Sequence, residues 1–186
     1  QRLMPRPVSR FPAVIVDIDE QSLAAFGRWP WPRTRLAQLI EATHRLGALA
    51  VAMDIIMPEA DDLSPNYLLA GRPELSPALK EAIASLSSND AILAKTLSQV
   101  PSVIARAALL DKSKPRGTVK QTPTLVIGES PLLYLHSFPT ELVNLPEIEA
   151  AATGRGYIND TRDADGVVRA MPLVIAVNGT PAPALA

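Results

Sequence analysis

Acidic side chains carry most of the chemistry this chain could offer, and they gather at the ends of two apolar runs. Asp17 and Asp19 close the run A-V-I-V-D-I-D at 13–19, and Asp54 closes A-L-A-V-A-M-D at 48–54. In a strand, residues two apart point the same way, so Asp17 and Asp19 share a face. Ligands of open α/β sheets sit beyond the carboxyl ends of strands, and adjacent parallel strands would bring Asp54 to that same crevice. Carboxylates there can hold Mg²⁺ through oxygen ligands, with Glu20 and Glu59 in reach to join them. They can instead act as nucleophile and acid in phosphoryl transfer. The third use is structural. A strand-end carboxylate caps the next helix through its backbone N–H groups, or pairs with an arginine such as Arg33. These residue types fit the structural use better than a ligand site, and a ligand site better than catalysis.

The D-x-D spacing resembles the first strand of haloacid-dehalogenase-like phosphatases, whose nucleophile and acid stand two apart. Here the pair is followed by E-Q-S, which places Ser22 one position later than that motif's hydroxyl, and the expected downstream lysine and acidic pair are missing. Close behind comes G-R-W-P-W-P-R at 27–33, which holds both tryptophans of the chain. Proline after each tryptophan restricts it toward extended backbone, so Trp29 and Trp31 stand on a stiff stem before a helix. Their indole faces, with Arg33, could stack on a ring or a cation. The alternative, which the composition favours, is a wedge: two large aromatics packed at the connection, with indole N–H groups bonded to backbone. Gly27 permits a tight turn in front of them. Asp17, Asp19, Trp29, Trp31, Arg33, Asp54 and Arg169 form the candidate ligand-binding set.

Other chemistries are poorly served. There is no cysteine, so disulfides, thiolate metal sites and cysteine nucleophiles are excluded. The two histidines, His44 and His136, lack the spacing of a zinc site, and no nucleophile elbow, Walker loop or dinucleotide fingerprint occurs. Asp163, Asp165 and Gly166 have some look of a calcium loop but lack its further ligands, and a hairpin turn accounts for them better. No resident cofactor or metal is implied. A net charge of −1 and a pI near 6.2 argue against broad binding to nucleic acid or anionic lipid.

The elements that must position these residues follow from hydrophobic patterning. Residues 13–18 are a β-branched apolar run, the profile of a buried parallel strand. Residues 34–46 carry a helical stripe at Leu36, Leu39, Ile40, Thr43 and Leu46, with Pro32 and Thr34 as start signals and Gly47 as the stop. Residues 48–57 read as a second buried strand, completing a β-α-β unit with parallel strands. Short helices are predicted over 77–86 and 90–99, the latter capped by Asn89 or Asp90. A third strand is predicted over 100–110, then an exposed basic loop over 111–124. Residues 155–160 and 166–177 read as an antiparallel hairpin turned at Asp165-Gly166. The layout predicts an α/β three-layer sandwich. Its central sheet is mostly parallel, with the antiparallel C-terminal hairpin at its edge.

The combination of V-I-V-D-I-D-E-Q-S-L at 14–23, G-R-W-P-W-P-R at 27–33, L-G-A-L-A-V-A-M-D-I at 46–55 and G-Y-I-N-D-T-R-D-A-D-G-V-V-R-A-M-P-L at 156–173 resembles the CHASE domain of type two. The resemblance spans roughly residues 13 to 185 and is loose between 60 and 150. It implies an extracytoplasmic sensor, not an enzyme, lying on the periplasmic or extracellular side of a bacterial inner-membrane receptor. That receptor carries flanking transmembrane helices and a cytoplasmic cyclase, kinase or diguanylate cyclase as output. Residues 1–12 would be an extended lead-in after a membrane helix, and 13–186 a single sensor domain. The chain contains no run of about 18 apolar residues, starts without Met and stops in an apolar stretch, which predicts an excised piece of a longer protein. The implied partners are an unknown small-molecule or ionic stimulus and a second copy in a homodimer, and no nucleic acid. Two alternatives stay open: a Mg²⁺-dependent phosphotransfer enzyme using Asp17 and Asp19, and a dimerisation module without a ligand.

Overall fold

The computed structural model describes residues 13–69, 72–111, 124–162, 165 and 168–185. The chain divides into two compact units, Gln1–Trp31 and Pro32–Ala186. In the first unit, the apolar run 13–18 is not a strand. Among the described residues its backbone has no ladder partner, and Val14 and Ile15 are 84% and 92% exposed. A strand is defined by its partner, and β-branched residues alone do not supply one. The run leads into helix α1 (Glu20–Phe26), whose N-cap is Asp19 and whose C-cap is Gly27 at φ 96°. That backbone conformation belongs to glycine, as the expected tight turn requires.

The second unit opens with helix α2 (Arg33–Arg45), which buries Leu36, Ala37 and Ile40 and stops at Gly47, φ 105°. Strand β1 (Val51–Met53) follows and is shorter than the apolar run that predicts it. Three helices then carry the chain away and back: α3 (Pro65–Leu69), α4 (Pro77–Ala84) and α5 (Asn89–Gln99). Ser88, rather than Asn89 or Asp90, caps α5, its hydroxyl accepting from Ala91 N at 3.0 Å. The predicted β-α-β unit therefore occurs one step later in the chain. Strand β2 (Ser102–Leu109) pairs in parallel with β1, Val51 opposite Ser102, and α5 is the last helix of the connection.

Strand β2 is buried along nearly its whole length and is the centre of the main sheet. Its first half also pairs in parallel with β5 (Gly154–Tyr157), and its second half antiparallel with β4 (Thr140–Leu142). Between β4 and β5 lies helix α6 (Pro146–Ala151). Helix side chains Leu36, Ile40, Leu93, Leu97 and Ile148 and strand residues Ile104 and Ala105 make the core of this part. The fold is α/β, as predicted.

The C-terminal strands depart from expectation. Residues 155–160 and 166–177 do not form one hairpin at the sheet edge. Only β6 (Thr161–Arg162) and β7 (Val168–Ala170) face each other antiparallel, and of the turn between them only Asp165 lies among the described residues. Strand β8 (Val174–Val177) instead builds a second sheet, parallel to β3 (Ser137–Phe138) and antiparallel to β9 (Thr180–Pro183). The reason is burial: Ala108, Tyr157, Ile175, Val177 and Ala182 form one apolar cluster with Phe138 against it. Strands β5 and β8 reach that cluster by joining different sheets. A parallel bridge from Tyr157 on β5 to Ala184, just past β9, links the two sheets. The predicted loop 111–124 lies mostly outside the described residues.

Candidate functional site

The predicted site residues are divided between the two units. Asp17 is exposed in the extended lead-in to α1. Asp19 is a helix cap: its Oδ1 accepts from both the backbone N–H and the hydroxyl of Ser22, each at 2.8 Å. Those bonds, first from the Ser22 backbone and then from its hydroxyl, hold the Asp19 carboxyl below its ordinary value. Trp31 is 6% exposed and donates its indole N–H to the Gly27 carbonyl at 2.8 Å. Phe26 meets it edge-on at 5.7 Å and Trp29 tilts against it at 6.2 Å. That is the aromatic wedge, with Trp29 remaining partly exposed. Asp54 is exposed just past β1. Asp17 and Asp19 belong to the first unit and Asp54 to the second. Arg169 stands on β7.

Arg33 has found a different acid from the one expected. Helix α2 starts at a proline with no side-chain cap of its own, and Asp61 supplies the cap from 28 residues away. Its Oδ2 accepts from Arg33 N at 2.7 Å and from Asn89 Nδ2 at 2.9 Å, and its Oδ1 from Leu63 N at 2.9 Å. Asp61 N in turn donates to Asp90 Oδ2 at 2.9 Å, in the first turn of α5. The Arg33 Nε lies 3.5 Å from Asp90 Oδ1, a charge contact rather than a hydrogen bond. Burial pushes the Asp61 carboxyl up. Bonds from Arg33 N, Asn89 and Leu63, with the Arg33 charge, outweigh that and hold it below its ordinary value. Two helix N-termini thus converge on one buried carboxylate, which favours negative charge there.

A second buried node was not legible as a site. Arg106 projects from the middle of β2 and is almost fully buried. Its Nε and Nη2 donate to the two oxygens of Glu149 on α6 at 3.2 and 2.6 Å, and its Nη1 to Glu141 on β4 at 3.3 Å. Arg155 on β5 donates its Nε to Glu149 Oε2 at 3.2 Å and its Nη2 to the carbonyls of Glu149 and Ala152 at the end of α6. Asn144 donates to Glu149 Oε1 and to the Ala105 carbonyl, and accepts from Met57 N. The Tyr157 hydroxyl donates to Glu141. Burial pushes the Glu149 carboxyl up, but hydrogen bonds from Arg106 and Asn144 and the Arg106 charge hold it below its ordinary value. Burial, then the Glu141 carboxylate, pushes the Tyr157 phenol well above its ordinary range, so it remains a donor.

The signal for this node was an arginine inside an otherwise apolar strand, V-I-A-R-A-A-L-L. A charge is buried only with a partner, so Arg106 demanded acids that the sequence order does not point to. The two guanidinium groups and two carboxylates sum to zero and are turned on one another. Such a node holds elements together; it offers no open group for chemistry.

Open space lies elsewhere, in a cleft of about 330 Å³ between α2 and α5, lined by Glu41, Ala91, Ile92, Lys95, Thr96 and Gln99 among others. Among the described residues no group of three or more His, Cys, Asp or Glu side chains is arranged to hold a metal ion. Nor, among them, is any helix long and apolar enough to cross a membrane. No curated protein and no solved structure compared with the chain matches it. The family model described as the CHASE2 domain matches residues 1–186, the whole of the sequence. The chain belongs to the CHASE2 domain family of extracytoplasmic sensory domains.

Proposed function

We propose that this domain is the signal-input part of a bacterial transmembrane receptor. It sits on the periplasmic or extracellular side of the inner membrane and passes a stimulus to a cytoplasmic output module. The observation that carries this reading is the family match along residues 1–186. The mechanism is a population shift. A small-molecule or ionic stimulus binds one arrangement of the domain better than another, and flanking membrane helices carry that bias inward. The output would be an adenylyl cyclase, histidine kinase, diguanylate cyclase or serine/threonine kinase. The receptor works as a homodimer, the form such modules need.

The charge networks suit this role. A buried node whose groups are satisfied by one another keeps its segments in one geometry, so a stimulus acts on a few discrete arrangements rather than on a soft surface. Phosphotransfer by Asp17 and Asp19 has less to support it, since the Asp19 carboxylate already serves Ser22. The test is topology in the full-length protein. Alkaline phosphatase fused within or directly after the domain is expected to be active, and a fluorescent protein fused there dark. The reverse pattern would put the domain in the cytoplasm and remove the receptor reading.

A further inference from the structure

The cleft between α2 and α5 differs from the two buried nodes in that its charges are left over. Glu41 stands on the α2 wall and Lys95 on the α5 wall. Both are exposed, and neither makes an ion pair with the other or with any described residue. The Glu41 carboxylate is nonetheless oriented. Its Oε1 accepts from the hydroxyl of buried Thr96 at 2.9 Å, which leaves Oε2 open. Ala91 and Ile92, one turn before Lys95 and Thr96 on α5, give the lining its apolar part, and Ser87 and Gln99 are further polar groups in it. Helices α2 and α5 are also the two elements whose N-termini Asp61 joins, so the cleft walls are held by a shared anchor.

We propose that this cleft binds a small zwitterion of amino-acid to dipeptide size. Its ammonium meets Glu41, its carboxylate meets Lys95, and its apolar part lies on Ala91 and Ile92. A cavity of about 330 Å³ is at the small end of ligand pockets, which suits such a molecule and not a nucleotide. Two opposite charges that line one cleft without pairing select against a plain amine or a plain acid, because each leaves one charge unmatched. The inference rests on the sensor reading for its biological sense, but the binding chemistry is tested without it.

The experiment uses this domain, its Glu41→Gln and Lys95→Met variants, and a panel of free α-amino acids and dipeptides. Each positive is accompanied by its decarboxylated amine and its deaminated acid. Thermal shift finds binders and calorimetry measures them. At least one zwitterion is expected to raise Tm, its two analogues are not, and each variant weakens binding by about tenfold or more. Both side chains are exposed, so the unliganded variants melt as the parent does. On the parent alone, amide shifts on titration are expected at Ala91, Ile92, Lys95 and Thr96. No response across the panel, or shifts confined to other residues, would overturn the site. A zwitterion that binds both variants as tightly as the parent overturns the site and leaves the sensor reading intact. A cytoplasmic topology removes the sensor reading without touching the binding result.

Discussion

Glu149 accepts hydrogen bonds from Arg106, Arg155 and Asn144 at once, so its loss would leave two guanidinium groups buried without their main counter-charge. Breaking a buried ion pair from one side costs about 3–5 kcal/mol, far more than an exposed pair is worth. Glu149→Ala is therefore expected to lower stability by about that amount in urea unfolding, whereas Glu81→Ala on the exposed face of α4 changes it by less than about 0.5 kcal/mol. The same carboxylate sets an acid limit. Its native pKa lies below the ordinary 4.5, and that of Asp61 below the ordinary 3.8. With depressed native values, the unfolded chain takes up protons first as pH falls. The stabilisation is thus full above the ordinary values and is lost as pH drops through the native ones. Urea midpoints measured from pH 6 to pH 3 are expected to fall below about pH 4.5, and to fall less steeply in Glu149→Gln. A flat profile in the parent would contradict this account.

At the scale of elements, capping and close approach decide where segments begin and meet. Ser88 starts α5, and Ser88→Ala is expected to cost about 1 kcal/mol while leaving the urea m-value unchanged. Gly156 permits something no other residue would. A Cβ there would stand 2.5 Å from Leu185 Cα and 2.8 Å from the Ala184 carbonyl carbon, backbone against backbone. Gly156→Ala is therefore expected to break the contact at Tyr157 and Ala184, where Leu185 N donates to the Tyr157 carbonyl at 2.9 Å. Hydrogen exchange should show faster exchange over β9 than over β2, which is held independently by β1 and β4. Equal protection of both strands would mean the two sheets are coupled some other way. Helices α2, α4 and α5 were legible beforehand because their signals are local: the stripe on α2, the proline before it and the glycine after it all act within a turn. The cap of α2 was not legible, because Asp61 lies 28 residues away.

For the molecule as a whole, the chain belongs to a family of sensory domains, and the function proposed for it asks no catalysis of Asp17 and Asp19. Purified domain with Mg²⁺ and a generic phosphate ester is expected to show no turnover above the Asp17→Asn variant. Turnover lost in that variant would restore the phosphotransfer reading. Sedimentation of the full-length receptor in detergent is expected to give a dimer, and a monomer at working concentration would remove the proposed mode of transmission. Val14 and Ile15 are exposed, and the leading apolar run forms no strand among the described residues of the unit it belongs to.

What the sequence determined by itself was the class of the protein. An apolar, cysteine-free, nearly neutral α/β chain with a specific set of short motifs pointed to an extracytoplasmic sensor, and the family match bears that out. It also determined helices α2, α4 and α5 and the central strand, whose signals are patterns read over a few residues. The tertiary structure decided which strands pair, that β8 leaves the main sheet for its own, and that the acids of consequence are Asp61, Asp90, Glu141 and Glu149. The physical reason is range. A strand's ladder partner and a buried charge's counter-charge are chosen by burial across long separations, 43 residues between Arg106 and Glu149. No local pattern records that choice.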